Sequence, residues 1–254
     1  MKNRIALLPL LSVCLVLLFS LSLVYGAVSI PLQEVIDILC GKGSSSPAWE
    51  HIVWQARLPQ AVTALFAGAS LAVSGLLLQT LFRNPLAGPS ILGISDGANL
   101  GVAAVLLYWG GSISQVSDFP ITGYVAVILA ALLGAFAILG IIIYFSSKVK
   151  NNVMLLIIGI MIGYMASSLI SILNYYAAAD RVHAFVMWGL GNFSAVSMEQ
   201  LPFFSIVSAT GLLLSVLLIK PLNALLLGEM YAANLGVKVK QARIQILFLS
   251  LIHI

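Results

Sequence analysis

The hydrophobic positions of the chain form long apolar runs that are separated by short polar or charged segments. About 20 apolar residues in a helix that rises ~1.5 Å per residue cross a bilayer core of ~30 Å, so each run of this length predicts a membrane-spanning helix. The runs cover residues 5–25, 58–82, 91–109, 121–145, 153–173 and 201–219, and a shorter apolar tail covers 244–254. The pattern therefore predicts an all-α polytopic membrane protein with six complete transmembrane helices and the start of a seventh.

The polar segments between the runs predict smaller features. Residues 26–55 are expected to form an extramembrane loop with a short amphipathic surface helix in IPLQEVIDIL, because its apolar residues recur at helical spacing. The Pro/Gly-rich stretch after Arg83 predicts a hinge. Asp96 is interpreted as a residue that caps the helix at this hinge, in preference to the alternative that it contacts the substrate. Small residues four apart, at Ala64, Gly68 and Ala72, favour close packing of the second run inside a bundle.

Composition supports the membrane class. The chain is 61% hydrophobic and 8% charged, whereas soluble domains carry ~25% charged residues. A membrane β-barrel would show alternating segments of ~10 residues, which the unbroken runs exclude. The first run is longer than the ~7–15 apolar residues of a signal peptide, so we expect it to be retained as a helix.

Basic residues are distributed unevenly between the two sides that the runs define. If the N-terminus is cytoplasmic, nine of the twelve Lys and Arg residues lie inside, and Lys42, Arg57 and Arg181 lie outside. Because cytoplasmic loops carry the excess of Lys and Arg, the N-terminus and the 220–243 loop are predicted to be cytoplasmic. The net charge of +4 thus comes from basic residues that set the membrane topology, and it indicates no nucleic-acid partner.

Motifs for catalysis or metal binding are missing from the sequence. It contains no GxxxxGK[ST] phosphate-binding loop, no GxSxG and no HExxH, and its three histidines are scattered. Cys14 and Cys40 form no CxxC pair. We therefore expect no cofactor, no metal site and no catalytic residues, and any ATP hydrolysis must come from a partner.

Three segments carry a family resemblance: residues 57–101, the stretch MWGLGNFSAVSMEQL, and KPLNALLLGEMYAANLGVKVKQAR. In this order they resemble the permease subunits of ABC importers for iron siderophores, haem and cobalamin. The resemblance implies a single permease domain over 1–254 and a ten-span fold in the bacterial inner membrane. It also implies a second permease subunit in a homodimer or heterodimer, cytoplasmic ABC ATPases and an extracytoplasmic substrate-binding protein. Ferric siderophore is the first candidate cargo, ahead of haem and cobalamin.

Two further expectations follow from comparing the chain with that family. The resembled permeases continue beyond the seventh span and the final SLIHI departs from their pattern, so we expect a truncated or frameshifted product that transports nothing by itself. A channel or an ion-coupled secondary transporter is the alternative function. It is disfavoured because such proteins place charges near the bilayer midplane, where these runs have almost none.

The resemblance also assigns candidate site residues. Arg57 is expected to dock the binding protein, or else only to anchor the end of its span, and Gln60 stands where the family has a second arginine. The translocation path and gate are expected at Asn151, Asn152, Gly159, Gly163, Ser167 and Ser171, although helix packing is preferred for the two glycines, which form a GxxxG.

The 220–243 loop is expected to couple the permease to the ATPase. Its pattern predicts two short helices, 222–227 and 230–235, that are broken at Gly228 and stopped at Gly236. The ATPase interface is expected at Gly228, Glu229, Ala232 and Ala233. Lys238, Lys240 and Arg243 are interpreted as topology signals.

Overall fold

The computed structural model describes residues 2–108, 120–149 and 152–252, and every regular element in these ranges is helical. The helices are α1 (Lys2–Val24), α2 (Leu32–Leu39), α3 (Pro47–Ile52), α4 (Leu58–Phe82), α5 (Ile94–Ala103), α6 (Pro120–Lys148), α7 (Asn152–Tyr176), α8 (Ala179–Gly189), α9 (Leu201–Val216), α10 (Ile219–Leu226), α11 (Glu229–Asn234) and α12 (Val239–Ile252). The predicted all-α class is confirmed. Asn151 and Trp109, which the sequence placed in the gate and at the end of a run, lie outside the described residues.

Four helical segments of the described chain are long and apolar enough to cross a bilayer: Leu7–Val24, Pro47–Phe82, Val125–Ser146 and Met154–Tyr176. A fifth results if α9 and α10, which meet at a bend of 52°, are counted as one span. In the described residues, the helices of the third and sixth predicted runs are α5 with its π turn and α9, which fall short of the length used for a single span.

Gly93 stands before the helix of the third predicted run. It adopts a left-handed conformation (φ +70°), which costs a glycine little and other residues much more. A 3₁₀ turn (Pro89–Leu92) precedes it, and α5 and a π turn (Ala104–Tyr108) continue to the last described residue of this range. The α-helix therefore begins three residues after residue 91, where the apolar run was predicted to start.

The second run begins earlier than predicted. α3 continues through a π turn (Val53–Arg57) into α4, so that one helical segment of 36 residues covers Pro47–Phe82. The sequence had placed residues 47–55 in a loop. Pro47 stands at the first helical position, where its missing N–H has no intrahelical partner to lose.

One compact unit comprises Met1–Ala69 and Asn192–Ala209. Its buried core is formed by Leu23, Ile30, Val35, Ile38, Val53 and Ala61. α2 buries Val35 and Ile38, which confirms the predicted amphipathic surface helix. Beside it, the hydroxyl (2.6 Å) and backbone N–H (3.1 Å) of Ser45 donate to Glu34, and these bonds hold the pKa of that carboxyl below its ordinary value.

The second unit comprises Ser70–Gly191 and Thr210–Ile254. Its core joins the end of α4 to α6, α7 and α12 through residues such as Leu78, Ile142, Leu155 and Ile246. α12 also contacts α6 through a pair of rings, Phe136 and Phe248, whose centroids lie 6.0 Å apart. The tail thus forms a helix that begins at Val239, five residues before the apolar stretch predicted from residue 244.

Glycines set the spacing between α5 and α6. A Cβ built on Gly134 would overlap the carbonyl oxygen of Gly97, and one built on Gly101 would overlap that of Ala130. The two backbones are therefore in direct contact, a distance that only small residues allow.

Candidate functional site

Two short helices follow the bend after α9 and form a separate surface. α10 and α11 match the predicted helix pair, with α10 beginning three residues earlier than residue 222 and α11 one residue earlier than 230. Gly228 (φ +114°) and Gly236 (φ +84°) occupy backbone conformations that side chains disfavour, and they end α10 and α11 as expected.

The two helices expose apolar side chains next to charged residues. Met230 is 85% exposed, and Leu226, Leu227, Tyr231 and Leu235 are also exposed. We call these five residues the apolar patch. Lys238 and Lys240 follow α11 directly and are exposed, which is typical of a surface outside the hydrocarbon core.

The predicted ATPase-contact residues have different positions on this surface. Ala233 is exposed, whereas Ala232 is fully buried in the core of the second unit. The side chain of Ala232 therefore packs inside this chain, and its predicted contact with the ATPase stays a prediction. Gly228 is half-buried, and its backbone provides the turn between the helices.

Glu229, the remaining predicted contact, forms an ion pair. Its Oε1 lies 2.5 Å from Nη2 of Arg243 in α12. Nη1 of Arg243 also donates to the carbonyl oxygen (3.2 Å) and to the hydroxyl (2.9 Å) of Ser146, near the end of α6. Arg243 is thus more than the topology signal that the sequence suggested, since its side chain joins three helices.

Arg57, the predicted docking residue, is 5% exposed. Its Nη1 donates to the carbonyl oxygens of Leu23 (2.9 Å) and Val24 (2.6 Å), and its Nη2 donates to that of Val28. The guanidinium therefore satisfies carbonyls at the end of α1, where the helix itself has no donors left. Docking stays a prediction, and the described contacts give Arg57 a structural role in this chain. Gln60, three residues on, is exposed.

The predicted path residues of α7 divide into two groups. Gly159 and Gly163 are buried, and a Cβ at either position would crowd the segment that starts α5: Leu92 in one case and the carboxylate of Asp96 in the other. Ser167 and Ser171 are exposed, and Ser171 donates to the carbonyl of Ser167 at 2.9 Å. The glycines thus serve helix packing, which was the preferred alternative.

Two other predicted positions concern the starts of helices. Asn152 is the first residue of α7, and its partner in the proposed gate, Asn151, is outside the described ranges. Asp96 lies in the first turn of α5, where the positive end of the helix dipole favours an acid, and Gly93 takes the N-cap position itself.

Arginines at the ends of helices were the main feature that the sequence did not reveal. Like Arg57 and Arg243, Arg181 donates to backbone carbonyls of another element, those of Leu107 and Tyr108 in the π turn after α5 (3.4 and 3.3 Å). Each partner lies far away along the chain, so spacing gives no direct signal. One sequence signal for such contacts is the presence of Arg instead of Lys beside apolar runs. The planar guanidinium of Arg can donate to several acceptors at once.

The sequence of the chain was compared with protein families and with known proteins. A model of the FecCD transport family matches residues 14–254. The molybdate import system permease protein MolB of Haemophilus influenzae is 32% identical over 248 residues, a match that covers 94% of this chain and 69% of MolB. The vitamin B12 import system permease protein BtuC of Escherichia coli is 35% identical over 193 residues, covering 76% of this chain and 56% of BtuC.

A solved structure gives the same result for the fold. It is described as an inward-facing conformation of a transporter assigned to the metal-chelate ABC type, and it shares 30% identity and a TM-score of 0.79 with this chain. The match covers 97% of this chain and 73% of that one. The resemblance recognised in the sequence is confirmed, and the chain belongs to the FecCD transport family.

Proposed function

We propose that the chain is a permease subunit of an ABC importer in the bacterial inner membrane. The observation that carries the proposal is the family match over residues 14–254, together with an exposed apolar helix pair outside the long spans. The chain provides the membrane passage, and separate ABC ATPases hydrolyse ATP. An extracytoplasmic binding protein delivers the cargo, and a second permease subunit, identical or related, completes the passage.

The apolar patch on α10 and α11 is the proposed contact with the ATPase. Exposed apolar surface that is rimmed by polar residues commonly marks a protein interface. A short helix that presents Met230 and Tyr231 suits insertion into a groove of a partner. The distribution of Lys and Arg supports an orientation with the N-terminus and this patch on the cytoplasmic side.

The proposed cargo is a metal-containing compound, with ferric siderophore as the first candidate and haem and cobalamin as the others. The names of the relatives support the general class, since one imports vitamin B12, another molybdate, and the structural neighbour is of metal-chelate type. Uptake of radiolabelled ferric siderophore, haem, cobalamin and molybdate into proteoliposomes that contain the transporter assembled with the full-length permease would discriminate among them. Failure to import any of the four would contradict the proposed cargo class.

Met230→Asp is expected to weaken association with the ATPase by at least about tenfold, because a charge would replace an apolar side chain at the centre of the contact. Met230 is 85% exposed in the chain, so the substitution should leave the fold intact. The measurement is co-purification of the ATPase with the tagged full-length permease, titrated to give an apparent Kd.

Leu32→Asp provides a matched control. Leu32 is an exposed apolar residue on α2, the other surface helix. This variant should bind the ATPase as the wild type does. Equal ATPase binding by Met230→Asp and the wild type would exclude the apolar patch as the contact.

A further inference from the structure

One guanidinium group links the proposed coupling helix to the rest of the second unit. Arg243 is 12% exposed at its side chain and contacts Glu229 of α11 with one terminal nitrogen and Ser146 of α6 with the other. Since Arg243 belongs to α12, this single group connects three helices.

The chemistry of these contacts requires arginine. The planar guanidinium donates in two directions at once, whereas the ammonium of lysine is a point charge on a flexible stem. The carbonyl of Ser146 lies in the last turn of α6, where the negative end of the helix dipole attracts a cation. Lysine would therefore keep the ion pair with Glu229 but lose the simultaneous contact with α6.

α11 depends on such contacts for its position. It has only six residues, and helices this short are not stable by themselves in water. Among its described contacts, Ala232 is buried in the core and Glu229 is paired with Arg243. A cavity of about 690 Å³, lined by Tyr144, Glu229 and Arg243 among others, lies beside the ion pair.

We propose that Arg243 is a positioning residue that transmits movement of α11 to the end of α6 during the transport cycle. The inference rests on the proposed function, because it assumes that α11 contacts the ATPase. A displacement of α11 would pull Glu229, and Arg243 would pass that displacement to the terminal turn of α6. The adjacent cavity gives the side chains room for the shift.

The test compares Arg243→Lys with the wild type in the complete transporter, reconstituted into liposomes with its ATPase and binding protein. The readouts are the amount of ATPase that co-purifies and the stimulation of ATP hydrolysis by the binding protein without cargo. Coupling between sites in proteins amounts to about 5- to 150-fold. We expect Arg243→Lys to retain ATPase association. We expect the stimulation of ATP hydrolysis by the binding protein to decrease about tenfold. Lys238→Gln, at an exposed neighbouring position, should change neither readout.

A second variant removes both contacts. Arg243→Met keeps the apolar stem but has no donor for either Glu229 or the Ser146 carbonyl. We expect it to lose the stimulation as Arg243→Lys does and to bind less ATPase as well, because α11 also loses its ion pair. Full stimulation in either variant would overturn the inference. If the full-length wild-type permease binds no ATPase, the proposed function itself fails, which is a different result from an uncoupled but assembled transporter.

Discussion

Gly134→Leu is expected to prevent the chain from folding. A Cβ at this position would overlap the carbonyl oxygen of Gly97 and lie 3.1 Å from the backbone N of Gly101. These are backbone atoms, so α5 and α6 would have to separate along their contact. Overpacking of a core costs about 1–3 kcal/mol when side chains can adjust, and a clash with backbone exceeds that range. The measurement is the yield of monodisperse protein after detergent extraction.

Gly140→Leu is the matched control for this substitution. Gly140 lies six residues further along α6, and no described atom lies within 4 Å of a Cβ built there. The same side chain on the same helix should therefore leave the yield close to that of the wild type. Equal yields from the two variants would show that the contact between α5 and α6 is not as close as the structure has it.

Arg57→Met is expected to destabilise the chain by about 1–3 kcal/mol. The substitution removes the donors of the Leu23, Val24 and Val28 carbonyl oxygens. The bond to Leu23 is buried and the other two are only partly buried, so the loss at Leu23 dominates. The apolar stem of methionine preserves much of the packing, so the loss reports the hydrogen bonds. Thermal unfolding of the detergent-solubilised protein measures it.

Arg181→Met tests whether burial sets the size of the effect. Arg181 also donates to two backbone carbonyls, but at 3.3–3.4 Å and with more exposure. We expect a clearly smaller decrease in the midpoint of thermal unfolding. If Arg57 serves only to dock the binding protein, Arg57→Met will leave the unfolding midpoint unchanged and will weaken that protein's affinity in a salt-dependent way.

The long helices could be predicted from the sequence because hydrophobic runs and helix-breaking glycines are local signals. Gly228 and Gly236 ended α10 and α11 as expected, since their positive φ angles need residues without a side chain. The direction of side chains on α11 was not predictable in the same way. Six residues complete fewer than two turns, so no periodicity distinguishes the buried Ala232 from the exposed Met230.

Long-range contacts account for the other differences. The acceptors of Arg57 lie 29 to 34 residues away along the chain, and Ser146 lies 97 residues from Arg243. Neither distance leaves a pattern in a single sequence. The turn at Gly93 was also hidden, because mean hydropathy does not detect a left-handed backbone conformation near the start of an apolar run.

The glycine contacts of α5 have a consequence for how the chain enters the membrane during synthesis. An acid in its first turn makes α5 costly to release alone from the translocon into lipid. α6 and α7 supply the glycine surfaces that α5 contacts, and both are synthesised after it. We therefore expect α5 to remain at the translocon until α6 and α7 emerge, so that the three helices leave as one assembled hairpin bundle.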